Sequence, residues 1–241
     1  MMPLPLDQEI DHVGFAIIPT VIGTAEQQEL LTALGPVSSA GRRGLLTVPA
    51  VAALARSDRL LNLVRPHLPS EPLPVRAIYF DKSPDTNWLV PWHQDLTLAV
   101  RAQAAVPGFG PWSTKEGVPH VQPPMEFLQQ MLTLRLHLDH ADELNGALRV
   151  LPGSHRFGRL APARIQEWRA TQPEFICTVP AGGVLLMRPL LLHASSRSTS
   201  ARHRRVLHIE YSACALPPPL QWQETAMGSP FGKSAQLTAP A

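Results

Sequence analysis

Proline is the residue that most constrains how this chain can fold. It occurs 26 times in 241 residues, and because it lacks a backbone N–H donor it interrupts both long helices and central strands. From residue 73 onward, apolar runs of three to nine residues alternate with turn-forming proline, glycine and asparagine. The runs cover residues 75–80, 88–90, 131–138, 147–151, 175–179, 184–187, 190–194 and 204–212. Short strands at this spacing predict a mainly β sandwich or barrel.

The first part of the chain has a helical pattern instead. Thr24 is a typical helix-capping residue, and the leucines that follow it at helical spacing end at Gly35, a residue common at helix ends. Two shorter helices are predicted at residues 49–55 and 57–64, where a proline and a serine are favourable first residues. These helices predict a layer that packs on a β core.

We predict a single domain over residues 1–216, with the helical layer at about 20–66 and the β core at about 73–212. Within the core, residues 100–130 are rich in glycine and proline yet carry aromatic residues, which favours a lid loop over a flexible tether. The proline-rich composition of residues 217–241 predicts an extended tail.

Charge, cysteine content and hydropathy exclude several classes of protein. The 21 basic and 19 acidic residues leave a net charge of +2, without a basic run that would bind nucleic acid. Two cysteines provide neither a disulfide framework nor a four-cysteine zinc site. No apolar run is long enough to cross a membrane, and residues 1–10 lack the basic residues of a signal peptide. We therefore expect a cytoplasmic protein that acts on a small molecule.

Two predicted strands have clearly different faces. Residues 132–139 alternate strictly between apolar side chains and polar or charged ones, and residues 204–211 do so except at Arg205 and Val206. In an ordinary sheet the polar face would meet solvent, whereas in a small barrel it would line an internal cavity. The alternation by itself is compatible with both.

Three His-x-Asp pairs, which begin at His93, His137 and His140, are candidates for metal binding. Iron(II) that activates dioxygen is bound by two histidines and one carboxylate, and side chains two residues apart on a strand point the same way. The pair at His140 lies in a turn segment, where aspartate is an ordinary turn residue. The pair at His137 ends a strand, so it could be either a ligand pair or a histidine that faces a polar interior. Spacing alone does not choose among the pairs.

Three motifs together resemble the phytanoyl-CoA dioxygenase family. They are WHQDL at residues 92–96, NG at 145–146 followed by LRVLPGSH at 148–155, and His193 followed by Arg204. The resemblance extends in order over about residues 11–211. It implies a double-stranded β-helix, a cupin-like jelly roll, with N-terminal helices packed on the larger sheet.

The same resemblance implies which residues bind iron(II). In the family the metal pair precedes the long loop, and the hairpin of the NG and PGSH motifs lies between that pair and the distal histidine. His93, Asp95 and His193 are therefore the expected ligands and the catalytic centre. The resemblance also implies 2-oxoglutarate as the co-substrate.

The family positions near 2-oxoglutarate can be carried over residue by residue. Arg204 is the expected anchor for the far carboxylate, a role that suits a planar and permanently charged guanidinium. Arg205 is adjacent, but it lies on the apolar face of its strand. Ser195, Gln94 and Lys82 match family positions close to the iron and the co-substrate.

Arg135 departs from family members that carry an aromatic residue at this strand position. A cavity-facing arginine could bind 2-oxoglutarate or an anionic substrate, or it could belong to a buried ion pair. Trp112 and Lys115 in the lid loop, together with His137, are the expected substrate contacts. For the lid residues the alternative is an ordinary surface position.

The implied reaction consumes 2-oxoglutarate and O₂, releases succinate and CO₂, and hydroxylates a C–H bond of a small polar or anionic metabolite. Asp95 argues against halogenation, since family-type halogenases have a small residue at that position. Desaturation and ring chemistry stay open. The alternatives are a cupin-type metalloenzyme that does not use 2-oxoglutarate and therefore does not need Arg204, or a non-catalytic small-molecule binding protein on the same fold.

Overall fold

The computed structural model describes residues 10–37 and 39–224. The helices with both ends described are α1 (Thr24–Leu34), α2 (Pro49–Ala55), α3 (Asp58–Val64), α4 (Met125–Gln129) and α5 (Pro162–Thr171). The strands are β1 (Phe15–Ile18), β2 (Gly41–Arg42), β3 (Leu73–Lys82), β4 (Val90–His93), β5 (Leu98–Ala99), β6 (Trp112–Lys115), β7 (Val118–Val121), β8 (Met131–His137), β9 (Leu148–Val150), β10 (Phe175–Ile176), β11 (Val184–Met187), β12 (His193–Ser195) and β13 (Arg204–Ser212). No helix in the described part of the chain is long and apolar enough to cross a membrane.

Two antiparallel sheets form the core. The larger has the strand order β1-β11-β8-β13-β3-β2, and the smaller has the order β10-β9-β12-β4. Side chains of β9 and β11 meet in one buried cluster between the sheets, so their inner faces pack on each other. Each of the eight predicted apolar runs overlaps a strand of these two sheets. The mainly β jelly roll predicted from the sequence is confirmed.

The predicted helices pack on the outer face of the larger sheet. One buried apolar cluster joins helical residues to outward-facing residues of β8 and β13, among them Leu30, Val51, Leu60, Leu134 and Ile209. Burial of side chains of this size stabilises the fold by roughly 1.5–3 kcal/mol each. The hydroxyl of Tyr211 also donates a hydrogen bond to the Ala55 carbonyl at 2.8 Å, which ties β13 to α2.

The polar faces of the central strands line the interior rather than the solvent. Strand register sets Arg204 opposite Lys82, His208 opposite Arg135, and Glu210 opposite Arg76. All six side chains are buried. Thus the barrel interior is polar along β13, and the alternative of a solvent-exposed polar face is excluded for this strand.

Residues 98–130 are more regular than the lid loop expected from their glycine and proline content. They contain α4 and a small sheet in the order β5-β7-β6. Glu116 and Gly117 both have positive φ, 50° and 79°, which is the turn geometry that fits a tight hairpin between β6 and β7. We call residues 112–121 the lid hairpin.

The beginning of the expected tail is packed. Leu220 and Trp222 are buried in one apolar cluster with Leu98 and Val121 of the small sheet. The Gln223 N–H donates to the Ala99 carbonyl at 3.0 Å, so this segment extends the lid sheet. Residues 225–241 of the predicted tail lie outside the described residues.

Candidate active site

The three expected metal ligands come together on the smaller sheet. His93 at the end of β4 and His193 at the start of β12 are directly opposed, with ring centroids 4.1 Å apart. The carboxylate of Asp95 lies 3.8 Å from His93 Nε2 and 3.7 Å from His193 Nε2. These are the only three metal-ligating groups found clustered, with all ligand atoms within 4.8 Å, among the described residues.

Backbone hydrogen bonds orient both imidazoles. Nδ1 of His93 donates to the Pro91 carbonyl at 2.8 Å, and Nδ1 of His193 donates to the Leu191 carbonyl at 2.8 Å. With the proton on Nδ1, the Nε2 lone pair of each ring is directed toward Asp95 and is available to a metal. Burial lowers the pKa of His193 to about 4, so this ring is neutral at pH 7.

Asp95 supplies the negative charge of the site. Burial by itself would raise its pKa, but nearby His193, His208, His93 and Arg135 lower it to about 2. Its backbone N–H donates to the Pro189 carbonyl at 2.9 Å, which fixes the residue beyond the end of β4. Two imidazoles and one carboxylate fit iron(II) and leave further coordination positions free for other ligands.

The other two His-x-Asp pairs have different partners. Asp139 accepts two hydrogen bonds from the Arg205 guanidinium, each 2.7 Å long, and one from the Arg205 backbone N–H at 2.9 Å, on the outer side of the sheet. Asp142 accepts a hydrogen bond from Arg202 at 2.6 Å and lies 3.6 Å from an exposed His140. Neither pair joins a third ligand among the described residues.

Arg204 is a buried cation without a hydrogen-bond partner in the part of the chain that the structure describes. Only 2% of the residue is exposed, and its Nε and Nη1 have no hydrogen-bond acceptor among the described residues. Burial, with a smaller contribution from Arg135, lowers its pKa to about 9. Buried guanidinium groups are normally paired, so this arrangement is typical of an anion-binding site.

Lys82 and Ser195 lie beside Arg204. The Lys82 ammonium donates to Ser195 Oγ at 2.7 Å and to the Ser196 carbonyl at 2.5 Å, and Ser195 Oγ donates to the Gly146 carbonyl at 2.8 Å. Burial lowers the pKa of Lys82 to about 7. Gly146 has φ of +73°, and a Cβ there would lie 2.5 Å from the Ser196 carbonyl oxygen. The glycine of the NG motif thus lets the chain pass close to this cation.

Gln94 points away from the metal ligands on either side of it. Its amide donates to the Gly158 and Leu190 carbonyls at 2.7 and 2.6 Å and accepts from the Leu160 N–H at 2.8 Å. These bonds use both the N–H donors and the oxygen acceptor of the side-chain amide. The structure therefore gives Gln94 a role in holding the segments around the metal pair, whereas the sequence predicted a contact with the co-substrate.

Arg135 and His137 both face the cavity from β8. Arg135 Nη1 lies 2.9 Å from His208 Nδ1, and its guanidinium carbon lies 5.7 Å from the centre of the Phe80 ring. His137 is fully buried, and neither ring nitrogen has a partner among the described residues. Burial, reinforced by Arg135 and Arg204, lowers the pKa of His137 well below its usual value, so this ring is neutral.

The two lid residues occupy different environments. Trp112 is partly buried in the apolar cluster beneath the lid hairpin, where it packs the hairpin onto the body of the domain. Lys115 is exposed, and its ammonium lies 3.4 Å from Thr97 Oγ1. Partial desolvation lowers the pKa of Lys115. Its contact with Thr97, two residues after Asp95, brings Lys115 toward the metal ligands.

A buried polar chain in the cavity was not predicted as part of the site. Glu210 Oε1 accepts from Arg76 Nη1 at 3.0 Å and from His208 Nε2 at 3.4 Å, and Arg76 Nη2 lies 3.2 Å from His120 Nε2. Alternation along 204–211 set His208 and Glu210 on the polar face of their strand. Arg76 carried no such signal, because its strand, β3, is buried on both faces.

Two known proteins are similar in sequence to this chain. A probable alpha-ketoglutarate-dependent hypophosphite dioxygenase from Stutzerimonas stutzeri is 29% identical over 187 residues, which are 71% of this chain and 56% of the relative. An L-proline trans-4-hydroxylase from Streptomyces griseoviridis is 26% identical over 154 residues, 53% of this chain and 50% of the relative. The chain thus spans only about half the length of these curated relatives.

The fold is shared with solved structures. EctD from S. alaskensis, in its apoform, superposes with a TM-score of 0.67 at 19% identity, over 86% of this chain and 75% of EctD. EctD has also been solved with bound Fe and with 2-oxoglutarate and 5-hydroxyectoine. The family described as phytanoyl-CoA dioxygenase matches residues 10–206, which include all three clustered ligands. From this match over most of its length, the chain belongs to the phytanoyl-CoA dioxygenase family.

Proposed function

We propose that this protein is an Fe(II)- and 2-oxoglutarate-dependent dioxygenase that hydroxylates a C–H bond of a small polar or anionic metabolite. Per turnover, one O₂ and one 2-oxoglutarate are consumed, one oxygen atom enters the substrate as a hydroxyl group, and succinate and CO₂ are released. Family membership and the cluster of His93, Asp95 and His193 support this reaction class.

The observation that carries the proposal is the unpartnered guanidinium of Arg204. It lies on the inner face of β13 opposite Lys82, whose ammonium binds Ser195, two residues along β12 from His193. A cupin-type metalloenzyme that does not bind 2-oxoglutarate does not need a cation at this position. It suits the far carboxylate of 2-oxoglutarate, with the keto-acid end at the metal.

Each residue then has a defined task. His93, Asp95 and His193 hold the iron, which together with 2-oxoglutarate and O₂ supplies the oxidising power for an unactivated C–H bond. Arg204 and Lys82 bind the distal carboxylate, and Ser195 orients the Lys82 ammonium.

Lys115 of the lid hairpin contacts Thr97, two residues after Asp95, where the hairpin can exclude water and help to position the substrate. Trp112 supports the lid from below. We propose that His137, neutral and unpartnered, offers a hydrogen bond to bound 2-oxoglutarate or substrate.

The named relatives support the substrate range. One is named for hypophosphite and another for L-proline, which are small molecules with anionic oxygen atoms. We also propose a cytoplasmic location, which agrees with free thiols at Cys177 and Cys214.

The proposal is tested with anaerobically purified protein supplied with Fe(II) and 2-oxoglutarate. We expect a weak visible charge-transfer band, followed by succinate release when air is admitted. Arg204→Gln should lose the band at 2-oxoglutarate concentrations that saturate the wild type, while the matched control Arg205→Gln should keep it, because Arg205 lies on the outer side and pairs with Asp139. If the wild type gives neither band nor succinate, with or without candidate substrates, the proposed function is wrong.

A further inference from the structure

Two buried guanidinium groups in the barrel interior lack a carboxylate partner among the described residues. One is Arg204, and the other is Arg135, which is 6% exposed and whose Nε has no hydrogen-bond acceptor there. In the proposed function, Arg204 and Lys82 already supply two cations to the single distal carboxylate of the co-substrate. The second guanidinium needs another explanation.

The two groups lie at different positions along the cavity. Lys82 pairs with Arg204 on β13, whereas Arg135 pairs with His208, four residues further along the same strand. Four residues of strand span roughly 13 Å. Ser195 lies beside the first position through its bond to Lys82, and Arg135 lowers the pKa of Asp95. Arg135 is thus close enough to the metal ligands to influence the ionisation of Asp95.

The contacts of Arg135 leave one edge of its guanidinium free. Nη1 is bonded to His208 Nδ1, and Phe80 supports the group from the side. Nε is buried without a partner, and no bond to Nη2 is present in the described part of the chain. The Nε and Nη2 hydrogens form the two-donor edge that matches two oxygen atoms of a carboxylate or a phosphorus oxyanion.

The surrounding acids do not neutralise Arg135. Since Arg135 can only donate, His208 Nδ1 accepts, and His208 is a neutral ring that donates from Nε2 to Glu210. Glu210 in turn is paired with Arg76 at 3.0 Å. Asp95 is a metal ligand in the proposed function. One positive charge therefore remains on the Asp95 side of the cavity.

We propose that Arg135 is the specificity-determining residue of the enzyme and binds an oxyanion of the primary substrate, either a carboxylate or a phosphorus oxyanion, through its Nε and Nη2 edge. The proposal rests on the proposed function and adds the substrate class to it. Of the roles that the sequence left open for Arg135, which are co-substrate binding, substrate binding and a buried ion pair, the proposal selects substrate binding. The neutral His208 and the Glu210–Arg76 pair hold the guanidinium in place.

The test is equilibrium binding under anaerobic conditions, measured by calorimetry on protein loaded with Fe(II) and 2-oxoglutarate. The probes are small metabolites with a carboxylate, a second set with a phosphonate or phosphinate, and the uncharged amide or ester of each. Binding of 2-oxoglutarate itself is followed separately by the visible band. The proteins are the wild type, Arg135→Gln, the charge-conserving Arg135→Lys, and Arg205→Gln as the matched control on the outer side of the sheet.

We expect at least one acid to bind the wild type and the Arg205→Gln variant, while its uncharged counterpart does not. Arg135→Gln removes a charged two-donor contact, so the affinity for that acid should fall by about 10- to 100-fold. The affinity for 2-oxoglutarate should change less than about threefold. Arg135→Lys should recover part of the affinity, which a merely structural loss would not. The set of probes that binds shows whether the substrate carries a carboxylate or a phosphorus oxyanion.

Three results would overturn the inference. Uncharged probes that bind as well as the acids, or a panel in which no acid binds, would remove the need for an anion site. Arg135→Gln with unchanged acid affinity would assign the anion to another residue. Arg135→Gln that loses the 2-oxoglutarate band would return Arg135 to the co-substrate. A wild type without the band rejects the proposed function itself, so the two failures are distinct.

Discussion

Substitution of Arg204 by methionine should stabilise the empty protein while it removes 2-oxoglutarate binding. The guanidinium is buried without an acceptor among the described residues, and Lys82 and Arg135 add further positive charge nearby. Methionine fills a similar volume without a charge, so it relieves the cost of keeping this cation in the interior. The same change removes the proposed anchor for the co-substrate.

The pKa of Arg204 sets the magnitude. Its fall from 12.5 to about 9 corresponds to about 5 kcal/mol, at about 1.4 kcal/mol per pH unit, as the upper limit of the cost. Water that enters the cavity solvates the cation, so we expect Arg204→Met to raise the free energy of unfolding by about 1–3 kcal/mol. In the wild type, 2-oxoglutarate at 100 times its Kd should add about 2.7 kcal/mol, and in the variant it should add nothing.

Urea unfolding of the wild type and Arg204→Met, each with and without Fe(II) and 2-oxoglutarate under anaerobic conditions, measures both effects. Arg205→Met is the control, and it should be less stable than the wild type because it leaves Asp139 without its two charged hydrogen bonds. The reasoning is refuted if empty Arg204→Met is less stable than the empty wild type, since the guanidinium would then have a stabilising partner.

Three further predictions concern the surroundings of the site. The pKa of Lys82 is about 7 in the folded protein and near 10.4 in an unfolded chain, so only the unfolded chain holds this proton between those values. Stability of the wild type relative to Lys82→Met should therefore rise with pH from 7 to 10, and urea midpoints at several pH values that run parallel would contradict this. In Gly146→Ala the new Cβ would clash with the Ser196 carbonyl at a position of positive φ, so the free energy of unfolding should fall by about 2 kcal/mol or more. Binding of 2-oxoglutarate should also weaken; thermal unfolding and titration of the visible band measure the two effects. Gln94→Glu removes the N–H donors to two carbonyls and should lower the free energy of unfolding by about 2–4 kcal/mol. If the free energy of unfolding is unchanged and only the affinity for 2-oxoglutarate falls, Gln94 contacts the co-substrate as the sequence predicted.

Much of this architecture could be predicted because its signals are local. The alternation of residues 132–139 and 204–211 requires strands with two unlike faces, and Ser57 does accept the capping bond from the Leu60 N–H expected of a helix start. The spacing of His93 and Asp95 likewise follows from strand geometry. What spacing could not provide was the choice among three His-x-Asp pairs, which needed the order of motifs along the whole chain.

Features that depend on long-range register were not predictable. Arg76 and Glu210 are 134 residues apart, and only the pairing of β3 with β13 brings them together. The backbone partners of Gln94 come from two separate loops, so its structural role cannot be inferred from the HQD motif. The lid hairpin was missed because residues 112–121 form strands against each other and not through a strong apolar pattern.

Iron binding by His93, Asp95 and His193 can be observed in crystals of the protein grown with Fe(II), with anomalous diffraction recorded on both sides of the iron absorption edge. We expect one strong iron peak between Nε2 of His93, Nε2 of His193 and the Asp95 carboxylate, and its loss in His93→Ala but not in His140→Ala. A peak beside His140 and Asp142, or a peak that persists in His93→Ala, would contradict it.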